Sequence, residues 1–234
     1  MLRLLTVIAS LSLTLLAFRT ASAVHARLRS PLSSPVFLTT AAIMAILAAS
    51  GVDYTPYRRG AEPLIALLGP ATAALAVPLY KHRRTLLAHL MPAVAGIVCG
   101  ALATLLSAVV LASALGLAPV VVRSIGIKSV TAPIAVELAP MIGGDPALVV
   151  ALVVATGMLG AMLGPWLLDR TGVTDPVARG LAYGTVALGI GTAQAATEGE
   201  IQGAVAGIAM GVAAILVSMS APALLPWLTH VLTR

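Results

Sequence analysis

One polar stretch, residues 123–140, lies between two long apolar runs and carries three charges, three hydroxyl groups and two prolines. The charges belong to Arg123, Lys128 and Glu137. Placing one charge at the centre of a lipid bilayer costs roughly 2.5–3.5 kcal/mol on insertion scales, so residues of this kind normally line a cavity or a pathway. We therefore expect the group that offsets these charges to be tied to the function of the protein.

A cationic group and two hydroxyl groups within one turn could hold a small carboxylate. Lys128 supplies the charge, and Ser129 and Thr131 supply hydroxyl donors. Pro133 interrupts helical hydrogen bonding just beyond them, and the free N–H groups at the start of a helix attract anions. The sequence predicts that these four residues bind the substrate. The alternative is that Lys128 pairs with Glu137 and only holds two helices together.

Further polar residues could complete such a site. Glu137 could bind a proton or a cation for coupling, because burial raises the pKa of a carboxyl group; otherwise it is a helix-end residue in the headgroup region. Thr72 lies in a proline-rich segment similar to residues 128–140, and Thr192 and Gln194 lie in a glycine-rich segment that we predict to be locally unwound. We predict that these three side chains hydrogen-bond the substrate. Alternatively, the threonine bonds to its own helix and the glycines serve close helix packing.

The composition indicates a membrane protein. Hydrophobic residues make up 59% of the chain and charged residues 9%, whereas a soluble domain has about 45–50% and about 25%. The formal net charge is +6, but the basic residues cluster in short loops between apolar runs, which is typical of topology determinants and argues against nucleic-acid binding. We predict a single all-α polytopic domain over residues 1–234.

At about 20 residues per span, the chain has room for about eight transmembrane segments. The first apolar run resembles a signal peptide, but most of the nearby arginines follow it, so we predict a retained helix with its N-terminus outside. The polar stretch supplies one segment, and the apolar runs that supply the others are 4–18, 36–52, 64–80, 90–117, 147–168, 180–197 and 201–231.

Prolines inside apolar runs predict two discontinuous helices. Residues 69–78 and 128–140 are both short, proline-broken and followed by a long helix, which forms a weak internal repeat. Such pairs are typical of transporter binding sites near the membrane midplane, although proline and glycine are also common in ordinary membrane helices. The interrupting prolines are Pro70, Pro78, Pro133 and Pro140.

The sequence does not favour an enzyme. It contains no Ser/His/Asp triad, no cluster of metal ligands and no phosphate-binding loop ending in GK[ST]. We therefore predict neither catalytic residues nor a metal or cofactor.

Four ordered motifs resemble the LrgB/CidB family. They are LGPATAALAVPLY at residues 68–80, KSVTAPIA at 128–135, GAMLGP at 160–165, and ARGLA at 178–182 with GTA at 191–193. The resemblance implies an antiholin-like protein of the bacterial cytoplasmic membrane that acts beside a small LrgA/CidA-type membrane partner, and it leaves a homo-oligomer open. It also implies transport of small carboxylates such as glycolate, glycerate or pyruvate.

The chain departs from this family pattern at one position. Many members carry a histidine just before the Gly-Thr-Ala motif, where this chain has Leu188. If that histidine contributes to coupling or substrate contact, we expect this protein to differ in one of the two.

Overall fold

The computed structural model describes residues 2–28, 33–67, 70, 73–74, 76–81, 83–88 and 90–232. Helix is the only regular secondary structure in these ranges, which confirms the predicted all-α class. The chain forms two compact units, residues 1–74 and residues 75–234. The prediction of one domain stays a prediction.

The first unit contains the helices α1 (Leu2–Leu28), α2 (Pro35–Ser50), α3 (Tyr54–Gly60) and α4 (Glu62–Ala66). The long α1 packs against α2 and α3. The hydroxyl groups of Thr14 and Tyr57 lie 2.9 Å apart and link α1 to α3.

The second unit contains the helices α5 (Ala76–Lys81), α6 (Arg83–Ala88), α7 (Leu90–Ala114), α8 (Pro119–Gly126), α9 (Ala132–Met141), α10 (Pro146–Arg170), α11 (Pro176–Glu198) and α12 (Glu200–Leu232). This unit packs around its C-terminal helix, α12. Ala209, Ala213 and Val217 of α12 are buried in one apolar core together with Leu105 and Val109 of α7.

Four helices in the described part of the chain are long and apolar enough to cross a membrane. Together with the composition, they identify an integral membrane protein. The predicted number of about eight segments is not tested by these four. The spans are Leu4–Leu28, Leu90–Ala114, Pro146–Arg170 and Glu200–Leu232.

Residues 119–145, which we call the first hairpin, double back on themselves. The chain leaves α8, turns at residues 127–131, follows α9 and returns to Ser124 in the last turn of α8. There the backbone N–H of Asp145 donates to the Ser124 hydroxyl, at 3.0 Å. The turn that holds Lys128 therefore lies inside a closed loop of chain.

Residues 176–198, which we call the second hairpin, also fold back. In a straight helix Arg179 and Glu198 would be separated by about 28 Å, at about 1.5 Å per residue, yet Arg179 Nε lies 2.6 Å from Glu198 Oε2. The reversal falls at Leu188, whose φ of 54° and ψ of −136° are not helical. Gly191 makes the close approach possible, because a Cβ there would lie 2.6 Å from the Tyr183 carbonyl oxygen.

The two hairpins adjoin opposite ends of α10. The first ends where α10 begins and the second begins just after α10 ends. An aspartate followed by a proline starts both α10 and α11: the carboxylates of Asp145 and Asp175 accept hydrogen bonds from backbone N–H groups of the first turn. This pairing is a common helix start, because the carboxylate caps free N–H groups and proline suits the first helical position.

Proline alone does not break the helices in the described part of the chain, because Pro165, Pro222 and Pro226 lie inside long helices. The turn at residues 127–131 precedes Pro133, which sits in the first turn of α9, while Pro140 lies in the last turn of that helix. Pro78 is the third residue of α5, and the first member of the predicted repeat falls partly on residues outside the described ranges. The second hairpin reverses at a leucine.

Candidate functional site

A cavity of about 410 Å³ lies between α10, the first half of the second hairpin and the turn of the first hairpin. Thr156 and Gly160 line its inner end, close to the midpoint of the 25-residue α10, and Leu168 lines its outer end. If α10 crosses the membrane, the inner end of the cavity lies near the bilayer centre. The turns of both hairpins border this end: Ala187 packs against Gly160, and the neighbours of Lys128, Ile127 and Val130, share one apolar core with Val153 and Leu188.

Lys128 is a cation with no anionic partner among the described residues. Its side chain is partly buried and its Nζ donates to the Ser129 hydroxyl at 3.3 Å. Within that part of the chain, its ammonium group forms no ion pair within 4 Å. The alternative pairing with Glu137 is therefore not observed, and Glu137 is exposed on α9. A partly buried cation of this kind favours an anionic ligand.

The other predicted residues of the first hairpin lie around Lys128 without lining the cavity. Ser129 is buried and holds the ammonium group. Thr131 precedes α9, but its side chain makes no capping hydrogen bond to the helix. Pro133 is exposed in the first turn of α9.

The predicted residues of the second hairpin point elsewhere. Thr192 is buried, and its hydroxyl donates to the Leu188 carbonyl oxygen at 2.9 Å. This hydrogen bond stabilises the backbone at the turn of the hairpin. Gln194 is partly buried, and neither residue lines the cavity. Thr72 lies outside the described residues.

Two polar residues of the cavity wall, Thr156 and Tyr183, were not predicted from the sequence. Gly157, Gly160 and Gly164 lie on the face of α10 that contacts the second hairpin, where a Cβ on Gly157 would lie 3.3 Å from the Ala187 carbonyl oxygen. Extending that face to its neighbours would have found Thr156. Nothing in the local sequence indicates Tyr183.

A charged cluster closes the open ends of the second hairpin. Arg179 Nη1 contacts Asp169 Oδ1 at 2.7 Å and donates to the Val173 carbonyl oxygen at 2.9 Å. Its Nε contacts Glu198 at 2.6 Å, and the Tyr183 hydroxyl donates to the other oxygen of this carboxylate at 2.5 Å. The cluster joins the end of α10 to both ends of α11.

Arg179 and Glu198 lie outside the four helices that can cross a membrane by length and composition. Asp169 lies in the last turn of one of them, α10. The hydrogen bond that the Arg179 guanidinium donates to Glu198 raises the pKa of Arg179 further above its ordinary value. The arginine therefore remains charged, and the hairpin ends stay tied together.

Leu188 holds a left-handed backbone conformation that favours glycine. We predict that Leu188→Gly is more stable than Leu188→Ala by about 1 kcal/mol or more, which is the reverse of the usual order in a helix. Both variants lose the part of the buried side chain beyond Cβ, but only glycine relieves the strained backbone. Thermal unfolding of the two purified variants measures this difference. At Ala193, which has ordinary helical geometry, the change to glycine should instead destabilise, and greater stability of Leu188→Ala would contradict the described turn.

Comparison with known proteins gives consistent relatives over nearly the whole chain. The sequence pattern of the LrgB-like family matches residues 14–227. The chain is 33% identical to the uncharacterised protein YwbG of Bacillus subtilis, over 94% of this chain and 98% of the relative. It is 26% identical to the holin-like protein CidB of Staphylococcus epidermidis, over 91% of this chain and 93% of the relative. No solved structure matched at a significant level.

The match covers both hairpins and the helices that hold them. It confirms the resemblance that the four motifs indicated. The chain belongs to the LrgB-like family of membrane proteins.

Proposed function

We propose that this protein carries small monocarboxylates across the bacterial cytoplasmic membrane by alternating access. The observation that supports this proposal most directly is the position of Lys128: a partly buried cation with no ion-pair partner among the described residues, on the wall of a cavity between two hairpins. Binding sites formed by interrupted helices near the membrane midplane are typical of secondary transporters.

In this proposal the carboxylate binds to the Lys128 ammonium group. Ser129 orients the ammonium group, and Thr156 supplies a hydroxyl group on the facing helix. Thr131 and Pro133 lie at the start of α9, where the first backbone N–H groups of the helix favour an anion. A charge-assisted hydrogen bond of this kind is short and about twice as strong as a neutral one, which suits selection of a carboxylate over a neutral molecule.

The finer features predicted from the sequence belong to the same proposal. They are about eight transmembrane segments, two discontinuous helices that meet near the midplane, proton or ion coupling through Glu137, a substrate contact from Thr72, a small LrgA/CidA-like partner and a homo-oligomer. The hairpins favour the discontinuous arrangement, because they adjoin opposite ends of α10 and border one cavity.

A second candidate function is a holin-like role in which the protein modulates the export of murein hydrolases and cell lysis. The observation that favours it is the name of the CidB relatives, which are described as holin-like. A scaffold or pore of this kind needs no specific anion site, so Lys128 would then have no ligand to offset its charge.

Reconstitution into liposomes separates the two functions. A carrier is expected to take up labelled pyruvate or glycolate with saturation while the vesicles retain an entrapped neutral dye, because alternating access never opens a continuous pore. Protein-free vesicles are the control. Release of the dye without saturable uptake would overturn the carrier and support the holin-like function.

A further inference from the structure

We propose that the ligand of this cavity is a monocarboxylate with an apolar tail, rather than a hydroxy acid. This inference rests on the proposed function and specifies its substrate class. It starts from the contrast between the two ends of the cavity, because the inner end carries the cation and the rest of the wall is apolar.

The charged end is set by Lys128 together with Thr156. The Tyr183 hydroxyl donates to Glu198, so that the tyrosine presents its ring to the cavity while its polar group is already occupied. Among the described residues that line the cavity, this leaves one ammonium group and one threonine hydroxyl to meet polar parts of a ligand. A carboxylate uses both.

The remainder of the wall suits a hydrocarbon chain. From Thr156 to Leu168 the cavity follows α10 for about 18 Å, at about 1.5 Å per residue, so there is room beyond the carboxylate. The apolar wall beyond the charged end is formed by Leu159, Leu163, Leu167, Leu168 and Val186. Leu159, Leu163 and Leu167 are 41–52% exposed, so the cavity is open along this side of α10. If α10 crosses the membrane, the open side faces lipid, where methylene groups are favourable and a hydroxyl group would lose its water without gaining a partner.

The turn of the second hairpin adds no polar side chain at this point. Leu188 is 3% exposed and packs in the apolar core with Ile127 and Val130 of the first hairpin. Thr192 is committed to the Leu188 carbonyl oxygen. In the turn of the first hairpin, Ser129 is engaged with the Lys128 ammonium group and Thr131 does not line the cavity. Neither turn therefore adds a hydroxyl group to the cavity wall, which disfavours glycolate and glycerate relative to an unsubstituted acid of the same length.

The test measures dissociation constants by equilibrium dialysis with the full-length protein in nanodiscs and labelled acetate, propionate, butyrate, hexanoate, glycolate and glycerate. Nanodiscs that carry Lys128→Gln report partition of the acids into lipid. We expect affinity to rise about four-fold per methylene, the equivalent of about 0.8 kcal/mol for each buried CH₂, and propionate to bind more tightly than glycerate.

A matched pair of variants tests the wall. Val186→Thr adds a hydroxyl group to the cavity at nearly constant volume and should weaken hexanoate at least three-fold relative to glycolate, whereas Val154→Thr, on α10 but outside the cavity lining, should leave this ratio unchanged. Glycolate or glycerate binding as tightly as butyrate would overturn this inference and leave the carrier intact. A chain-length trend that persists in Lys128→Gln would overturn the inference as mere partition, and binding of no acid at all would overturn both.

Discussion

Lys128→Gln is expected to reduce carboxylate uptake by the reconstituted protein sharply. The ammonium group is the charge at the inner end of the cavity, and no carboxylate of the described residues neutralises it. A hydrogen bond to a charged group contributes about 1.5–3 kcal/mol, so its loss should weaken binding between about 10-fold and about 150-fold. Uptake of pyruvate into proteoliposomes measures the effect.

Two further variants show whether charge or geometry is responsible. Lys128→Arg retains the cation and should retain part of the uptake, with an altered affinity because the guanidinium group is planar and larger. Lys81→Gln removes an exposed lysine 3.9 Å from Glu200 and should leave uptake unchanged. If Lys128→Gln transports as well as the unaltered protein, Lys128 has no part in the site.

Arg179→Gln is expected to destabilise the second hairpin strongly, by about 3–5 kcal/mol, because it leaves Glu198 largely buried without its cation. The Arg179 and Glu198 side chains are 11% and 16% exposed, so water replaces little of the lost interaction. Thermal unfolding of the protein in detergent measures the loss.

The same arginine provides the control. Asp169 is 69% exposed at its side chain, and solvent screens its interaction with Arg179, so Asp169→Asn should cost no more than about 1 kcal/mol. Replacing both members of the inner pair, as in Arg179→Met with Glu198→Leu, should recover much of the stability lost by Arg179→Gln, because no buried charge remains unpaired. Equal effects of Arg179→Gln and Asp169→Asn would contradict the described cluster.

The predicted site residues differ in how far a local sequence pattern can indicate their place in the structure. Lys128 stood out in the sequence because a charge between apolar runs is costly wherever it is placed in a membrane, and the structure puts it on a cavity wall. Thr192 and Gln194 looked equally suitable, but side-chain direction depends on the turn of the hairpin. The structure directs the Thr192 hydroxyl to the backbone and keeps both residues off the cavity.

The sequence by itself determined that this is an all-α membrane protein of the LrgB-like family, because hydropathy and family motifs are additive properties of the chain and do not depend on how distant parts meet. It also held the signals for the starts of α10 and α11, since a capping aspartate and a proline act within one turn. Only the tertiary structure decided that the helix reverses at Leu188 and that Thr156 and Tyr183 line the cavity. Leucine is an ordinary helix former, and the reversal is held by contacts between residues far apart in sequence, such as Arg179 and Glu198, which no local pattern records.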